Sequence, residues 1–135
     1  MQRRDLGDLL GSLVRVVIER ETPLLAERGL DMWEYVVLLR LADGAAATQA
    51  QLAAAVRRDK TRLIPILDRL EGRGLLGRTP DPADRRNRIV ALTDDGQALL
   101  ADCRAAISAM EDDLLADLEP GDAATLRRAL EAVAP

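Results

Sequence analysis

The side chains best equipped for chemistry in this 135-residue chain are arginines, and they are concentrated in one stretch. Between Arg57 and Arg88 there are ten basic residues against five acidic ones, a surplus of +5, while the rest of the chain carries −9 and the whole −4. A guanidinium presents a planar fork of N–H donors that matches phosphate oxygens and the O6/N7 edge of guanine. A basic segment held apart from acidic surroundings is therefore the charge pattern of a face offered to nucleic acid. A solvated Arg-rich face carries the same signature, and charge alone does not separate the two. Other chemistries lack parts. With no His there is no imidazole base and no His-rich metal site. The single Cys, Cys103, can form neither an internal disulfide nor a thiolate-rich zinc site. No phosphate-cradling glycine loop and no nucleophile paired with a base occur, so the residues argue against an enzyme, and no metal or cofactor is expected.

The elements that must position these arginines are helical. Phe is absent and Trp and Tyr occur once each, so the core has to be built from Leu, Val, Ile and Ala, which favours helix over sheet. The length fits one domain. Arg3 and Arg4 precede an apolar stretch, but Asp5 and Asp8 deny it a signal-peptide core. No run of 18 apolar residues could span a membrane, and a cytoplasmic location is expected.

Leu6, Leu10, Leu13, Val14, Val17 and Ile18 recur at helical spacing, with Pro23 expected to kink or restart the helix and Gly29 to end it. Asp31 with Glu34 opens a short central helix through Trp33, Val36, Val37, Leu38 and Leu41. Residues 43–47 read as a turn, and Thr48 with Gln51 as a capping box ahead of Leu52, Ala55 and Val56. Asp59 caps a helix to about Arg73 with Leu63, Ile66, Leu67 and Leu70 on one face; Pro65 removes one of its bonds and should bend the axis or leave the Thr61 carbonyl open. Residues 76–79 and 89–92 can pair as a hairpin with a charged tip, a plain loop being the alternative. Thr93 caps the longest helix, along which Leu100, Cys103, Ile107, Met110 and Leu114 form a seam with two apolar positions per heptad. Pro120 is expected in the first turn of a last helix with Leu126, Leu130 and Val133 facing inward.

The helix pair in residues 48–74, joined by a short turn, has helix-turn-helix spacing. In that arrangement the second helix brings its first turn to base edges, here Lys60, Thr61 and Arg62, while Arg57 and Arg58 in the turn meet phosphate. The tip of the hairpin can enter the adjacent minor groove. Asp81 and Asp84 make sense there if one of them holds an Arg fork in its working orientation; an ordinary loop with local ion pairs is the competing reading.

At this point the sequence resembles the MarR family of bacterial winged helix-turn-helix transcription regulators. Residues 68–100 carry the resemblance most strongly, through Leu70, Glu71, Gly74, Leu75 and Arg78, then Asp84 and Arg86, then Leu92, Thr93 and Gly96. The resemblance implies a mostly α fold with a two-stranded β wing. It also implies that Asp84 orients Arg86, that Arg86 enters the minor groove, and that Arg85 and Arg88 support them on phosphate. The opening of the second helix, Asp59-Lys60-Thr61-Arg62, keeps one hydroxyl where the family commonly has several, and Pro65 lies outside the family pattern. The redox-sensing branch has a reactive Cys in its first helix; Cys103 stands instead at a seam position, where a buried structural thiol is expected.

Leu6, Leu10 and Leu13, with Ile107, Leu114, Leu126 and Leu130, supply more apolar surface than a small central unit needs, which points to a homodimer reading an inverted repeat; completing an intrachain core is the alternative. Residues 1–28 and 97–135 are accordingly expected to form a dimerisation region around a winged helix-turn-helix region, 31–96. The family often answers to small phenolic or amphipathic effectors in a crevice between these parts. Trp33 and Tyr35 could line it and Arg15 or Arg40 meet an anion, although packing and surface charge explain each equally well. The runner-up function is a helical interaction module without DNA contact, against which the basic surplus counts.

Overall fold

Helix ends set the path of this chain. In the computed structural model, which describes residues 2–43 and 47–134, the order is α1 (Leu6–Ala26), α2 (Met32–Arg40), β1 (Ala47–Thr48), α3 (Gln49–Ala55), α4 (Lys60–Gly72), β2 (Leu76–Pro80), β3 (Arg88–Leu92), α5 (Asp94–Leu114) and α6 (Asp122–Val133). α1 runs through Pro23 as one helix rather than restarting there. It ends where Gly29 turns left-handed at φ 72°, so that Leu30 N–H reaches the Leu25 carbonyl at 2.9 Å and Gly29 N–H that of Ala26 at 3.0 Å. The same closure recurs after α4, with Gly74 at φ 74° and bonds from Leu75 to Leu70 and from Gly74 to Glu71.

Starts are capped as their residue types dictate. Asp31 accepts from Glu34 N–H at 2.8 Å while the Glu34 carboxylate accepts from Asp31 N–H at 3.0 Å. Thr48 and Gln51 repeat this exchange for α3, Asp59 accepts from Arg62 N–H at 2.8 Å, and Thr93 accepts from Gly96 N–H at 3.1 Å. Each such cap is worth about 1 kcal/mol. The last helix departs from expectation: Pro120 precedes it, and Gly121, left-handed at φ 90°, is its N-cap with no side-chain bond.

α2 packs against α1, α3, α4 and α5 and is the central helix. On it Val37 and Leu38, and around it Leu63, Leu67, Leu70 and Val90, are wholly buried, and burying each Val or Leu stabilises by roughly 1.5–3 kcal/mol. In α3 it is Ala53, not Ala55, that joins Leu52 and Val56 inside. α4 stays continuous through Pro65, with its four expected apolar residues buried.

The hairpin is present, β2 antiparallel to β3 from Leu76 opposite Leu92 to Pro80 opposite Arg88. The sheet has a third strand that the two-stranded expectation omitted: β1 pairs with β3 through Ala47 opposite Val90 and Thr48 opposite Ile89. Two residues are too few to display a period-two pattern. Most of the expected turn before it, 44–46, lies outside the described residues.

The seam on α5 divides. Leu100, Cys103 and Ile107 are buried in the intrachain core with Leu25, Leu30 and Tyr35, whereas Met110 and Leu114 are only half-buried. Among the described residues α6 buries none, and Val133, expected inside, is 75% exposed.

Candidate nucleic-acid interface

The turn between α3 and α4 closes like a glycine-terminated helix but without glycine. Arg58 N–H bonds the Ala53 carbonyl at 3.1 Å and Arg57 N–H that of Ala54 at 3.2 Å, which puts Arg57 in the left-handed position at φ 55°. For a residue with a Cβ that conformation costs roughly 1–2 kcal/mol. The Arg57 side chain is exposed. Immediately after it, Asp59 fixes the first turn of α4 and leaves Lys60, Thr61 and Arg62 exposed on it, Arg62 Nε lying 3.7 Å from Asp59 Oδ2.

Arg58, read from sequence as a second phosphate ligand in the turn, lies instead over the Trp33 ring, 3.7 Å from its centroid. Its Nε is buried without a hydrogen-bond partner. The stack makes it a clamp between α2 and the turn, and such cation–π contacts stabilise by about 0.5–2 kcal/mol.

In the loop joining β2 to β3, Asp81 N–H bonds the Asn87 carbonyl and Asn87 N–H that of Asp84, while Ala83 N–H bonds the Asp81 carboxylate. Asp81 therefore folds the loop, and Asp84 holds Arg86. Arg86 Nε donates to Asp84 Oδ1 at 3.0 Å and Nη2 to Oδ2 at 2.9 Å, with Arg86 N–H also on Oδ1. These bonds from Arg86 hold the Asp84 carboxyl below its ordinary range and raise the guanidinium. With Arg86 89% exposed, the pair adds little to stability; its effect is orientation. Arg85 and Arg88 are also exposed.

Arg78 has a structural role that the sequence reading did not assign. Its guanidinium, 17% exposed, donates from Nη2 to Asp68 at 2.6 Å and Glu71 at 3.0 Å, while Nη1 reaches Gln49 at 3.4 Å. The hydrogen bonds from Arg78 keep the Glu71 carboxyl below its usual range. One side chain thus joins β2 to the outer face of α4 and the start of α3. Its signal was two acids three residues apart on one face of α4, followed by an Arg across the glycine stop. Arg69 is likewise drawn toward Asp31 and Glu34. With Arg58 and Arg78 engaged by the fold, and Arg69 and Arg73 exposed but turned toward partners in neighbouring elements, the exposed cations left at the helix turn are Arg57, Lys60 and Arg62, and those at the wing are Arg85, Arg86 and Arg88.

The four residues considered for an effector do not come together. Tyr35 lines a depression of about 280 Å³ with Leu39, Arg104, Ile107, Ser108 and Glu111. Its phenol is pushed up, first by burial and then by the Glu21 carboxylate. Trp33 is occupied by Arg58, and Arg15 and Arg40 are exposed residues that do not line this depression. Arg104 supplies the cation there. Cys103 is buried, and burial pushes its thiol up, away from the reactive thiolate.

A sequence profile of the MarR family matches residues 30–87. The transcriptional repressor NicR of Pseudomonas putida is 35% identical over 71% of this chain and 63% of its own length. The regulator HosA of Escherichia coli is 41% identical over half of each chain, so the chain spans half to two thirds of these two relatives. The multiple antibiotic resistance protein MarR of Escherichia coli K12 is 30% identical over 93% of this chain and 91% of its own. Among solved structures, wild-type MarR from E. coli superposes with a TM-score of 0.90 at 26% identity over the whole of both chains. CouR bound to a 23-mer DNA duplex superposes at 0.84 and 32% identity over 97% of this chain and 93% of that one. CouR from Rhodococcus jostii RHA1 bound to p-coumaroyl-CoA gives 0.76 at 31% over 96% and 91%. With a winged helix-turn-helix, an Asp-braced wing arginine and these relatives along nearly its full length, the chain belongs to the MarR family of transcriptional regulators.

Proposed function

We propose that this protein is a cytoplasmic repressor that binds an inverted-repeat operator as a homodimer and is released by a small amphipathic or phenolic effector. The observation that carries the DNA reading is the pairing of two exposed cationic tips on elements packed against each other, α4 and the β2–β3 hairpin. The first turn of α4 presents Lys60, Thr61 and Arg62 for a major groove, with Arg57 on phosphate, and the wing presents the Asp84-oriented Arg86 for the neighbouring minor groove, with Arg85 and Arg88 on phosphate. CouR bound to duplex DNA supports that placement.

The homodimer rests on what α1, α5 and α6 leave uncovered. Leu13, Val17, Leu114, Leu115, Leu126 and Leu130 line an apolar groove, and Leu6, Leu9, Val14 and Ile18 stand exposed along α1. A contiguous apolar surface of this kind marks an interface. Residues 1–28 and 97–135 are therefore assigned to dimerisation and 31–96 to DNA. The effector reading is favoured by the Tyr35 depression, where α2 meets α5, and by CouR bound to p-coumaroyl-CoA. An effector acts only by preferring the dimer geometry that does not fit DNA. Repression is favoured by the kinship with NicR.

Selection of bound sequences from random duplex DNA by the purified protein tests the core of the proposal. An enriched inverted repeat, with half-sites about one helical turn apart or a multiple of it, is the expected result; enrichment of nothing above the input pool would reject it.

A further inference from the structure

The geometry points to Arg73, acting with the Thr93–Gly74 contact, as the joint that holds α4 at a set angle to α1 and α5 and so determines which half-site spacing the dimer accepts. This inference rests on the DNA-binding homodimer proposed above. Arg73 touches no DNA in this scheme; it is a positioning residue.

α4 is a rod of 13 residues, about 20 Å long. Its apolar face packs on α2, α3 and β2, and with them forms one body. Side-chain hydrogen bonds tying that body to the long helices gather at the C-terminal end of α4, opposite the turn that carries Lys60, Thr61 and Arg62. There Arg73 donates from Nη1 to the Gly29 carbonyl at 2.6 Å and from Nη2 to that of Arg28 at 3.3 Å. Both carbonyls belong to the turn that ends α1, where the negative end of the helix dipole favours a cation. Gly29 leaves room for this: a Cβ there would lie 3.1 Å from Arg73 Nη2. Arg28 extends the link, donating to the Leu24 carbonyl and, at 2.8 Å, to Asp102 of α5.

One residue further on, the Gly74 carbonyl accepts from Thr93 Oγ1 at 2.6 Å, and the Leu75 carbonyl accepts from Thr93 N–H at 3.1 Å. Gly96 approaches Leu75 so closely that a Cβ would stand 1.9 Å from its carbonyl oxygen. Residues 73–75 thus grip the end of α1 and the start of α5 together, while among the described residues the DNA-facing end of α4 has no comparable tether to either. A tilt of about 10° at this joint moves the far end of a 20 Å rod by about 3.5 Å, one base-pair step. Twofold symmetry doubles the change between the two reading heads.

The test uses the selected inverted repeat and duplexes with one base pair added or removed between half-sites, titrated at fixed salt with wild type, Arg73→Met and Arg73→Lys. Wild type is expected to lose about tenfold or more for either change, since one base pair also rotates a half-site by about 34°. Arg73→Met, which keeps the stem and loses the donors, should cut that discrimination to about threefold or less, and Arg73→Lys, which retains a donor for Gly29, should restore most of it. A uniform loss across all spacings, or unchanged discrimination, in a folded Arg73→Met protein would overturn the joint; if that variant does not fold, a spacing profile restricted by Thr93→Val as in wild type does the same. Wild type that binds the repeat without regard to spacing overturns the joint alone, whereas wild type that binds no repeat overturns the DNA-binding dimer itself.

Discussion

Between Thr48 and Leu92 the chain covers its own large apolar side chains, while along α1, the last turns of α5 and α6 it does not. In the first region each helix start has a side-chain cap, the apolar face of α4 is buried, and Arg58, Arg69 and Arg78 are engaged by neighbours. The exposed charge there includes side chains set by local bonds, as Asp84 holds Arg86. In the second region large apolar side chains face solvent, α6 starts without a side-chain cap, and the ion pair Arg127–Glu111 at 2.9 Å fastens it to α5. The contrast separates a finished reading head from an unfinished assembly surface. Exposed charge needs water or phosphate, whereas exposed Leu and Ile need another apolar face.

The comparison can be broken most severely where the two regions meet. Gly96→Ala would drive a methyl group into the Leu75 carbonyl, and neither the backbone there nor the helix start can retreat. A loss of about 3 kcal/mol is expected, at the upper end for overpacking, measurable by urea denaturation. Wild-type stability would mean that the contact between α5 and the α4–β2 turn is loose.

Leu114→Asp tests the open region alone. Leu114 is half-buried and lines the apolar groove, so the protomer should stay folded while a carboxylate enters the proposed interface, a costly burial. Light scattering should report a monomer, and specific operator affinity should fall by about 100-fold, or 2.7 kcal/mol. A dimer that still binds its repeat would place Leu114 outside the interface.

Arg86→Ala tests the reading head alone. Operator affinity should drop at least about tenfold with the fold and dimer intact, because the side chain is exposed and its bonds stay within the wing. Unchanged affinity on the same duplex would remove the wing from DNA recognition.

The smallest effect has two signs. Arg57→Gly relieves a left-handed residue and should raise stability by up to about 1 kcal/mol, while weakening all DNA sequences alike by about threefold through a lost phosphate contact. Arg62→Ala, by contrast, should relax preference at one base pair. If Arg57→Gly shifts base preference instead, the turn and the first turn of α4 have exchanged roles.

Much of this was legible before any coordinates. The caps at Asp31, Thr48, Asp59 and Thr93 and the buried face of α4 lie within a few residues in the chain, so spacing alone carries them, whereas the choice of Asp84 over Asp81 as the partner of Arg86 came from the family resemblance. A kink or restart is expected at Pro23 and a bend or an open carbonyl at Pro65, and both helices run on through their proline. A proline removes one backbone bond and strains one turn, and tertiary packing of the remaining face can outweigh that.

The amino-acid sequence by itself determined where helices start, which faces are apolar and which segment is basic, because these follow from steric and polar preferences acting over one or two turns. Which arginines of that segment are engaged by the fold was decided only by the tertiary structure. Arg58 stacks on Trp33 from α2, Arg73 crosses to the end of α1, and Arg78 turns back onto α4, each through partners distant in the chain or across a turn. The seam on α5 divided for the same reason. Leu100, Cys103 and Ile107 are claimed by the intrachain core and Leu114 is not, and identical helical spacing cannot say where the neighbouring elements stop covering a helix.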